Sequence, residues 1–212
     1  MAIRIRNQFH AGGRVRSMAE LASVIAILSW KLAIDSIKRM REAKFDIDLG
    51  QPYFDYVCES MAFHAHLADR VAFAKLEAAQ RSEFTTALAR RMAEAIEDNA
   101  DMLLTAREPG ACRRHFLEVF NASGVDYAEY GYDRGGDKIG GDKVGGPDFG
   151  FRRAFAARVR ESMPEKGKNW VYDQVMEIET PEGVKALEKT LAGLFGGGEP
   201  PVRRKREGVS GQ

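Results

Sequence analysis

The sequence predicts an all-α protein: a helical bundle of five to seven helices around an apolar first helix, with a long Gly-rich loop and basic termini. Two observations support this fold class. Apolar residues recur at helical spacing along most of the chain, and helix start and stop signals divide that pattern into segments. The composition agrees, since 44% hydrophobic and 30% charged residues with only seven prolines are typical of a helix-rich soluble protein. With 212 residues, the chain is long enough for one sizeable core.

The first helix is predicted from Ser17 to about Phe45. Ser17 suits the cap position, and Glu20, three residues later, completes a capping box. Apolar residues cover nearly the whole circumference of the first half of this helix, which predicts contacts on several sides, as in the central helix of a bundle or in an oligomer interface. They are Leu21, Ile25, Leu28 and Leu32 on one side and Ile27, Trp30, Ile34 and Ile37 on the other.

Three more helices complete a predicted four-helix core of residues 17–130. Start and stop signals place them from Pro52 to about Lys75, from about Ser82 to the Pro109-Gly110 break, and from Cys112 to about Ser123. Gly124 is expected to stop or bend the last of them. A basic arm, residues 1–16, precedes the core and contains four arginines and no acidic residue.

Residues 131–150 form a Gly-rich loop in which the pentapeptide GGDK[I/V] occurs twice in tandem. An irregular segment of this length inside a compact chain is commonly a lid, a binding loop or a flexible insert. A Walker-type phosphate loop does not fit, because Lys138 and Lys143 are followed by Ile and Val rather than by Ser or Thr. Since the loop separates two helical parts of the chain, we expect it to act as a hinge or lid.

Residues 151–195 are predicted to form helices that pack on the core. The first runs from about Phe151 to Met163, and the stretch from Trp170 to Ile178 is more consistent with a helix than with a strand. Thr180-Pro181 is a typical cap and first helical position, so a last helix is expected to start there.

Positive charge is concentrated at the two ends of a chain whose formal net charge is only +1. Residues 196–212 are predicted to be a disordered basic tail, with four consecutive basic residues at 203–206. The near-neutral total argues against global attraction to nucleic acid or to an anionic membrane, so local patches matter more. The basic arm also has some character of a targeting segment, which leaves its role open.

The cysteines and the longest apolar run indicate the compartment. Cys58 and Cys112 stand alone, without the spacing of a zinc site or a disulfide framework, so reduced thiols in the cytoplasm are expected. The longest apolar run, from Leu21 to Trp30, is about half of what a bilayer span requires. No transmembrane segment is therefore expected.

The second helix carries three carboxylates and an imidazole within a sector of about 80° at 100° per residue. They are Asp55, Glu59, His66 and Asp69. Such a face suits a divalent metal site or a general acid/base pair, and the simpler alternative is a solvated polar face. His64 lies instead on the apolar side of the same helix, where a hydrogen-bonded core histidine is expected.

Two further charged groups are candidates for binding. Arg152 and Arg153 directly follow the Gly-rich loop at a predicted helix start, where an anion is favoured. The third helix carries a stripe of four carboxylates at i, i+3, i+4 and i+7, from Glu94 to Asp101, which requires counter-charge from elsewhere in the molecule or from a metal or partner. A Cys112–His115 pair three residues apart is interpreted as incidental.

The sequence does not determine the function, and three hypotheses follow from it. The leading one is a non-catalytic helical protein that binds or assembles with another protein or with itself, because the first helix is apolar all round and no complete catalytic motif occurs. The alternative is a metal-dependent or acid/base enzyme that uses the polar face of the second helix. The second alternative is nucleic-acid or anion binding through the basic termini.

Overall fold

The computed structural model describes residues 16–47, 50–105, 107–133 and 146–195, and the backbone of 138–139 and 142–143. Within these residues the protein is an all-α bundle, as predicted. The α-helices are α1 Met18–Glu42, α2 Gln51–Phe73, α3 Ala78–Asn99, α4 Ala111–Ala128, α5 Phe149–Ser162, α6 Glu165–Gln174 and α7 Thr180–Phe195. A 3₁₀ turn, Ala100–Met102, follows α3. The basic arm up to residue 15 and the basic tail from residue 196 lie outside the described residues.

The start of α1 confirms the predicted capping box. The Glu20 amide donates to Ser17 Oγ at 3.3 Å, and the Ser17 amide donates to Glu20 Oε2 at 2.9 Å. Each contact satisfies an amide that the first turn leaves without a helical partner. Pro52 lies in the first turn of α2, where its missing N–H has no cost.

The fourth helix does not end near Ser123 as expected but continues to Ala128, and Gly124 within it lies close to a neighbouring helix. A side chain at position 124 would place its Cβ 3.0 Å from Cε1 of His66. Gly124 thus lets α4 approach the His66 ring on α2, and the helix continues through it to Ala128. A glycine inside a helical pattern can mark close packing as well as a helix end.

The last helix begins at Thr180, as predicted, but Thr180 is not a cap residue. Residues Val175–Glu179 form a π-helical turn that joins α6 and α7 without a break, and Thr180 is itself helical. The Thr180 amide donates to the Val175 carbonyl, a bond across five residues. Because Pro181 has no N–H to offer the preceding turn, regular α-helical bonding is interrupted at this point. The chain crosses it with a π turn.

The Gly-rich loop is closed at its base. The Asp148 amide donates to the Gly131 carbonyl at 3.1 Å, and the Gly131 amide donates to the Asp148 carboxylate at 2.6 Å. Two short antiparallel strand pairs lie within the loop. β1, Tyr132–Asp133, pairs with β4, Gly146–Pro147, and β2, Lys138–Ile139, pairs with β3, Asp142–Lys143. The Tyr132 hydroxyl donates to Glu188 on α7 at 2.6 Å, which anchors the base of the loop.

The most enclosed element is α2, which contacts α1, α3, α4, α5 and α7. Nearly every residue from Tyr53 to Ala68 is buried, including Glu59, Ser60 and His64. The apolar side of α1 packs against α2 and α3 and buries Ile25, Trp30 and Ile37. Among the described helices, none has the length and apolar character needed to cross a membrane.

Candidate functional site

Glu59, the most buried carboxylate of the predicted α2 site, pairs with a distant arginine. Arg158 on α5 donates to it from Nε at 2.8 Å and from Nη2 at 2.9 Å, while Nη1 reaches Asp126 on α4 at 2.5 Å. Burial raises the pKa of Glu59, and the hydrogen bonds from Arg158 act in the opposite direction. A bidentate pair of this kind joins α2, α4 and α5.

Asp69, one end of the predicted polar face, is held by α3. Arg81 donates to it from Nε at 2.9 Å and from Nη2 at 2.5 Å, and the Thr85 hydroxyl donates at 2.6 Å. Burial would raise the pKa of this carboxyl, but these donors bring the pKa below its ordinary value. The Arg81 guanidinium also lies 4.8 Å from the ring centre of Phe73.

His66 and Asp55 face α4 instead. His66 Nε2 lies 3.0 Å from the Phe120 carbonyl oxygen and 3.2 Å from Ser123 Oγ, and burial lowers the pKa of this ring. Asp55 Oδ1 lies 3.1 Å from His115 Nε2, and this contact raises the pKa of His115. Cys112, the other member of the pair on that helix, is a buried free thiol.

Each of the four residues of the predicted metal site therefore contacts a different set of protein side chains or backbone groups. Among the described residues, no group of three or more His, Cys, Asp or Glu side chains could hold a metal ion. The polar face of α2 points into the molecule rather than into solvent, and its charges are neutralised mainly by arginines. Metal binding by Asp55, Glu59, His66 and Asp69 stays a prediction from the sequence.

Arg152 and Arg153 lie in the second turn of α5, and the start of this helix already has a carboxylate. Asp148 Oδ1 accepts the Phe151 amide at 2.7 Å, so the protein's own acid takes one of the donors that an anion would use. Arg153 is exposed and Arg152 half-buried. Anion binding by this pair likewise stays a prediction.

Two of the four carboxylates of the α3 stripe, Glu94 and Glu97, find their counter-charge locally. Arg91 Nη1 donates to Glu94 at 2.6 Å, and Arg107 Nη1 donates to Glu97 at 2.7 Å. Glu97 also accepts the backbone amides of Gly110 at 2.8 Å and of Arg113 at 3.0 Å. Together these bonds fix the connection between α3 and the start of α4.

A small polar cavity lies where α1, α2, α5, the π turn and α7 meet, and its volume is about 20 Å³. Its polar lining comprises Ser36, Arg39, Tyr56, Ser60, His64 and Glu179. Burial lowers the pKa of His64 to about 3, so this ring is neutral at physiological pH. A cavity of this size excludes any substrate larger than a water molecule.

An open groove with a volume of about 510 Å³ lies between α3 and α4. Small or apolar side chains form its floor, and polar and charged side chains form its rim. The floor residues are Ala89, Ala93, Leu117 and Phe120, and the rim residues are Thr85, Thr86, Arg90, Glu94, Arg113 and Asn121.

Sequence reasoning missed this groove, although part of its signal was visible. Arg113, Leu117 and Asn121 recur every four residues and therefore share one face of α4. The helix that packs beside this face is determined by the tertiary structure and cannot be predicted from a local sequence pattern.

Comparison with known protein families, with curated proteins and with solved structures finds no match. The fold therefore defines the class as an all-α helical bundle, and a fold of this class does not by itself determine a function.

Proposed function

We propose that this protein is a binding module that takes an acidic amphipathic helix of another protein into the groove between α3 and α4. The observation that carries the proposal is the pairing of an apolar floor with two arginines, Arg90 and Arg113, that have no ion-pair partner within the described part of the chain. Glu94, the one carboxylate of the rim, is already bound to Arg91. Docking of an amphipathic helix into an apolar groove is a recurrent mode of recognition.

The length of the groove matches that of a short helix. Its α3 wall runs from Thr85 to Glu94, which at about 1.5 Å per residue is roughly 13 Å of helix. Along this wall the residues at 85, 89 and 93 form one row and those at 86, 90 and 94 a second, parallel row. A guest of about three helical turns would place two or three apolar side chains over Ala89 and Ala93.

The positive charge of the groove rim distinguishes between the segments that could bind in the groove. The basic arm has four arginines and no acid, and the tail has four consecutive basic residues, so Arg90 and Arg113 would repel either segment. An acidic helix from a partner avoids this repulsion and places carboxylates opposite two guanidinium groups, which favours a correct encounter. The partner is therefore expected to present Asp or Glu on both sides of an apolar stripe.

The two cysteines bear on the cellular compartment in which the protein acts. Cys58 and Cys112 are both buried free thiols, which suits a reducing environment. We infer that the protein meets its partner in the cytoplasm.

A display selection tests the proposal. Helical peptides of 14 residues, randomised on one face, are selected on the full wild-type chain. The enriched peptides are then tested for binding to the variant Ala89→Arg, which places a long side chain on the groove floor. Ala157→Arg, at an exposed position of α5 outside the groove, is the matched control.

We expect enriched peptides that bind the wild type and Ala157→Arg, fail to bind Ala89→Arg, and carry acidic residues beside an apolar stripe. Three outcomes would reject the groove as a site for an acidic helix. They are peptides that bind the wild type and Ala89→Arg equally well, enrichment of basic peptides, and no enrichment at all.

A further inference from the structure

The outward face of α3 carries a second concavity, which side chains of α3 alone line. Its volume is about 430 Å³, and most of its lining residues are small. They are Ala79, Ser82, Glu83, Thr86, Ala87 and Arg90. All of them except Ala87 are exposed. Because the side chains around Thr86 are short, a second helix has room to approach the backbone of α3 closely at this point.

Two opposite charges on this face have no ion-pair partner among the described residues. They are Glu83 and Arg90, and the carboxylate one turn beyond Arg90, that of Glu94, is bound to Arg91 instead. Seven residues make almost two helical turns, so Glu83 and Arg90 lie on nearly the same line of α3, about 10 Å apart along its axis. The outer face of α3 therefore presents one negative and one positive group that do not bind each other.

We propose that two copies of this chain associate through α3, with the two helices antiparallel and a two-fold axis near Thr86. Glu83 and Arg90 are equally far in sequence from a centre between Thr86 and Ala87. In an antiparallel pair about this centre, Glu83 of each copy lies opposite Arg90 of the other. A two-fold interface repeats every contact, so one complementary pair of residues gives two ion pairs.

The positions of the two charges disfavour other arrangements of the same face. A parallel pair in register would place Glu83 against Glu83 and Arg90 against Arg90. An antiparallel pair centred on either residue would also oppose two like charges, which weakens a wrong arrangement. A second copy fits better than a purely acidic or purely basic partner, because this face carries one charge of each sign.

The dimer is expected to exchange rapidly, because one pair of helices buries less surface than a permanent dimer does. Arg90 also belongs to the rim of the α3–α4 groove, so the second copy and an acidic helix would compete for its guanidinium. This competition rests on the proposed function, whereas the dimer itself does not.

Sedimentation velocity of the full chain over a series of concentrations tests the dimer. Glu83→Arg places arginines opposite each other at both ends of the interface, and Arg90→Glu places glutamates there. Glu161→Arg and Arg153→Glu, at exposed positions of α5, are the matched controls. Because no peptide is present, the result does not depend on whether the groove binds an acidic helix.

We expect a concentration-dependent dimer in the wild type and in both controls, and a dissociation constant at least about tenfold higher in each single variant. An equimolar mixture of Glu83→Arg and Arg90→Glu should dimerise again, because each arginine then faces a glutamate of the other chain. Three outcomes would overturn the proposal. They are a wild type that stays monomeric at high micromolar concentration, single variants that dimerise as well as the wild type, and no recovery in the mixture.

Discussion

Arg158 and Glu59 are 99 residues apart in the sequence, and the guanidinium of the first donates two parallel hydrogen bonds to the carboxylate of the second, at 2.8 and 2.9 Å. The Glu59 side chain is only 9% exposed. This pair, with Asp126 as a third member, joins three helices at a place where α2 would otherwise bury an uncompensated charge.

Removal of the arginine from this pair should be strongly destabilising. In Arg158→Ala the Glu59 carboxylate loses its partner while it stays buried, and we expect the free energy of unfolding to fall by about 3–5 kcal/mol. A guanidinium chloride titration followed by circular dichroism measures this loss. Arg153→Ala, at an exposed position of the same helix, serves as the control and should change stability by no more than about 0.5 kcal/mol. Similar losses in the two variants would show that the ion pair is not important for the fold.

Buried His64 should make the protein less stable as the pH falls. The unfolded chain binds a proton at this ring below its ordinary pKa of 6.5, whereas the folded chain does so only near pH 3. Stability is therefore lost as the pH drops from 6.5 towards 3, by at most about 1.4 kcal/mol per pH unit from this group. Because carboxyl groups titrate in the same range, the quantity to measure is the difference in slope between the wild type and His64→Gln.

His115 should affect the pH dependence of stability in the opposite direction to His64. Its pKa is raised, first by the hydrogen bond with Asp55, so its stabilising contribution is present below pH 6.5 and is lost as the pH rises through the raised pKa. The group is partly exposed, which limits the contribution to about 1 kcal/mol or less. His64→Gln should flatten the acid side of the stability profile and His115→Gln should not. Identical profiles for the two variants would contradict the burial of a neutral His64.

Two glycines of α7 should respond oppositely to alanine. A Cβ at position 183 would lie 3.0 Å from His64 Nε2, so Gly183→Ala forces the ring or the helix to shift and should cost about 1–3 kcal/mol. Position 193 has no atom within 4 Å, so Gly193→Ala should gain up to about 1 kcal/mol from helix propensity. Thermal unfolding of the two variants checks both signs. A neutral or stabilising Gly183→Ala would show that α7 does not pack this closely on His64.

The Gly-rich loop should be dispensable for folding. Its base is held by Gly131 and Asp148 and by the Tyr132–Glu188 bond, so replacement of residues 134–145 with Asn-Gly should close β1 and β4 into a tight hairpin. We expect a cooperative unfolding transition with a midpoint close to that of the wild type. An unfolded product would show that residues 134–145 contribute to the core.

Local signals in the sequence predicted the fold class and several helix starts, because caps and prolines act within one turn. The Ser17–Glu20 capping box is an example. The same local reasoning placed the start of the last helix correctly at Thr180 but missed the π turn that precedes it. It was wrong about a helix end near Gly124, where the glycine instead allows α4 to approach His66. Tertiary packing overrides local preference at such positions.

The candidate sites could be predicted only in part, for the same physical reason. Helical spacing places Asp55, Glu59, His66 and Asp69 within one sector of α2, but their partners come mainly from other helices. Arg158 is too distant in sequence to be assigned to Glu59 without the fold. The α3–α4 groove and the cavity beside His64 each depend on which helices are neighbours.

The central claim, that the α3–α4 groove binds an acidic helix, is tested most directly by a charge-reversal experiment. Fluorescence anisotropy measures the Kd of a selected acidic peptide, and of its counterpart with each Glu or Asp changed to Lys, for the wild type and for the double variant Arg90→Glu/Arg113→Glu. Arg153→Glu is the control for a charge reversal elsewhere. The account predicts that the wild type and Arg153→Glu prefer the acidic peptide and that the double variant prefers the lysine peptide. Equal preference in all three proteins would contradict it.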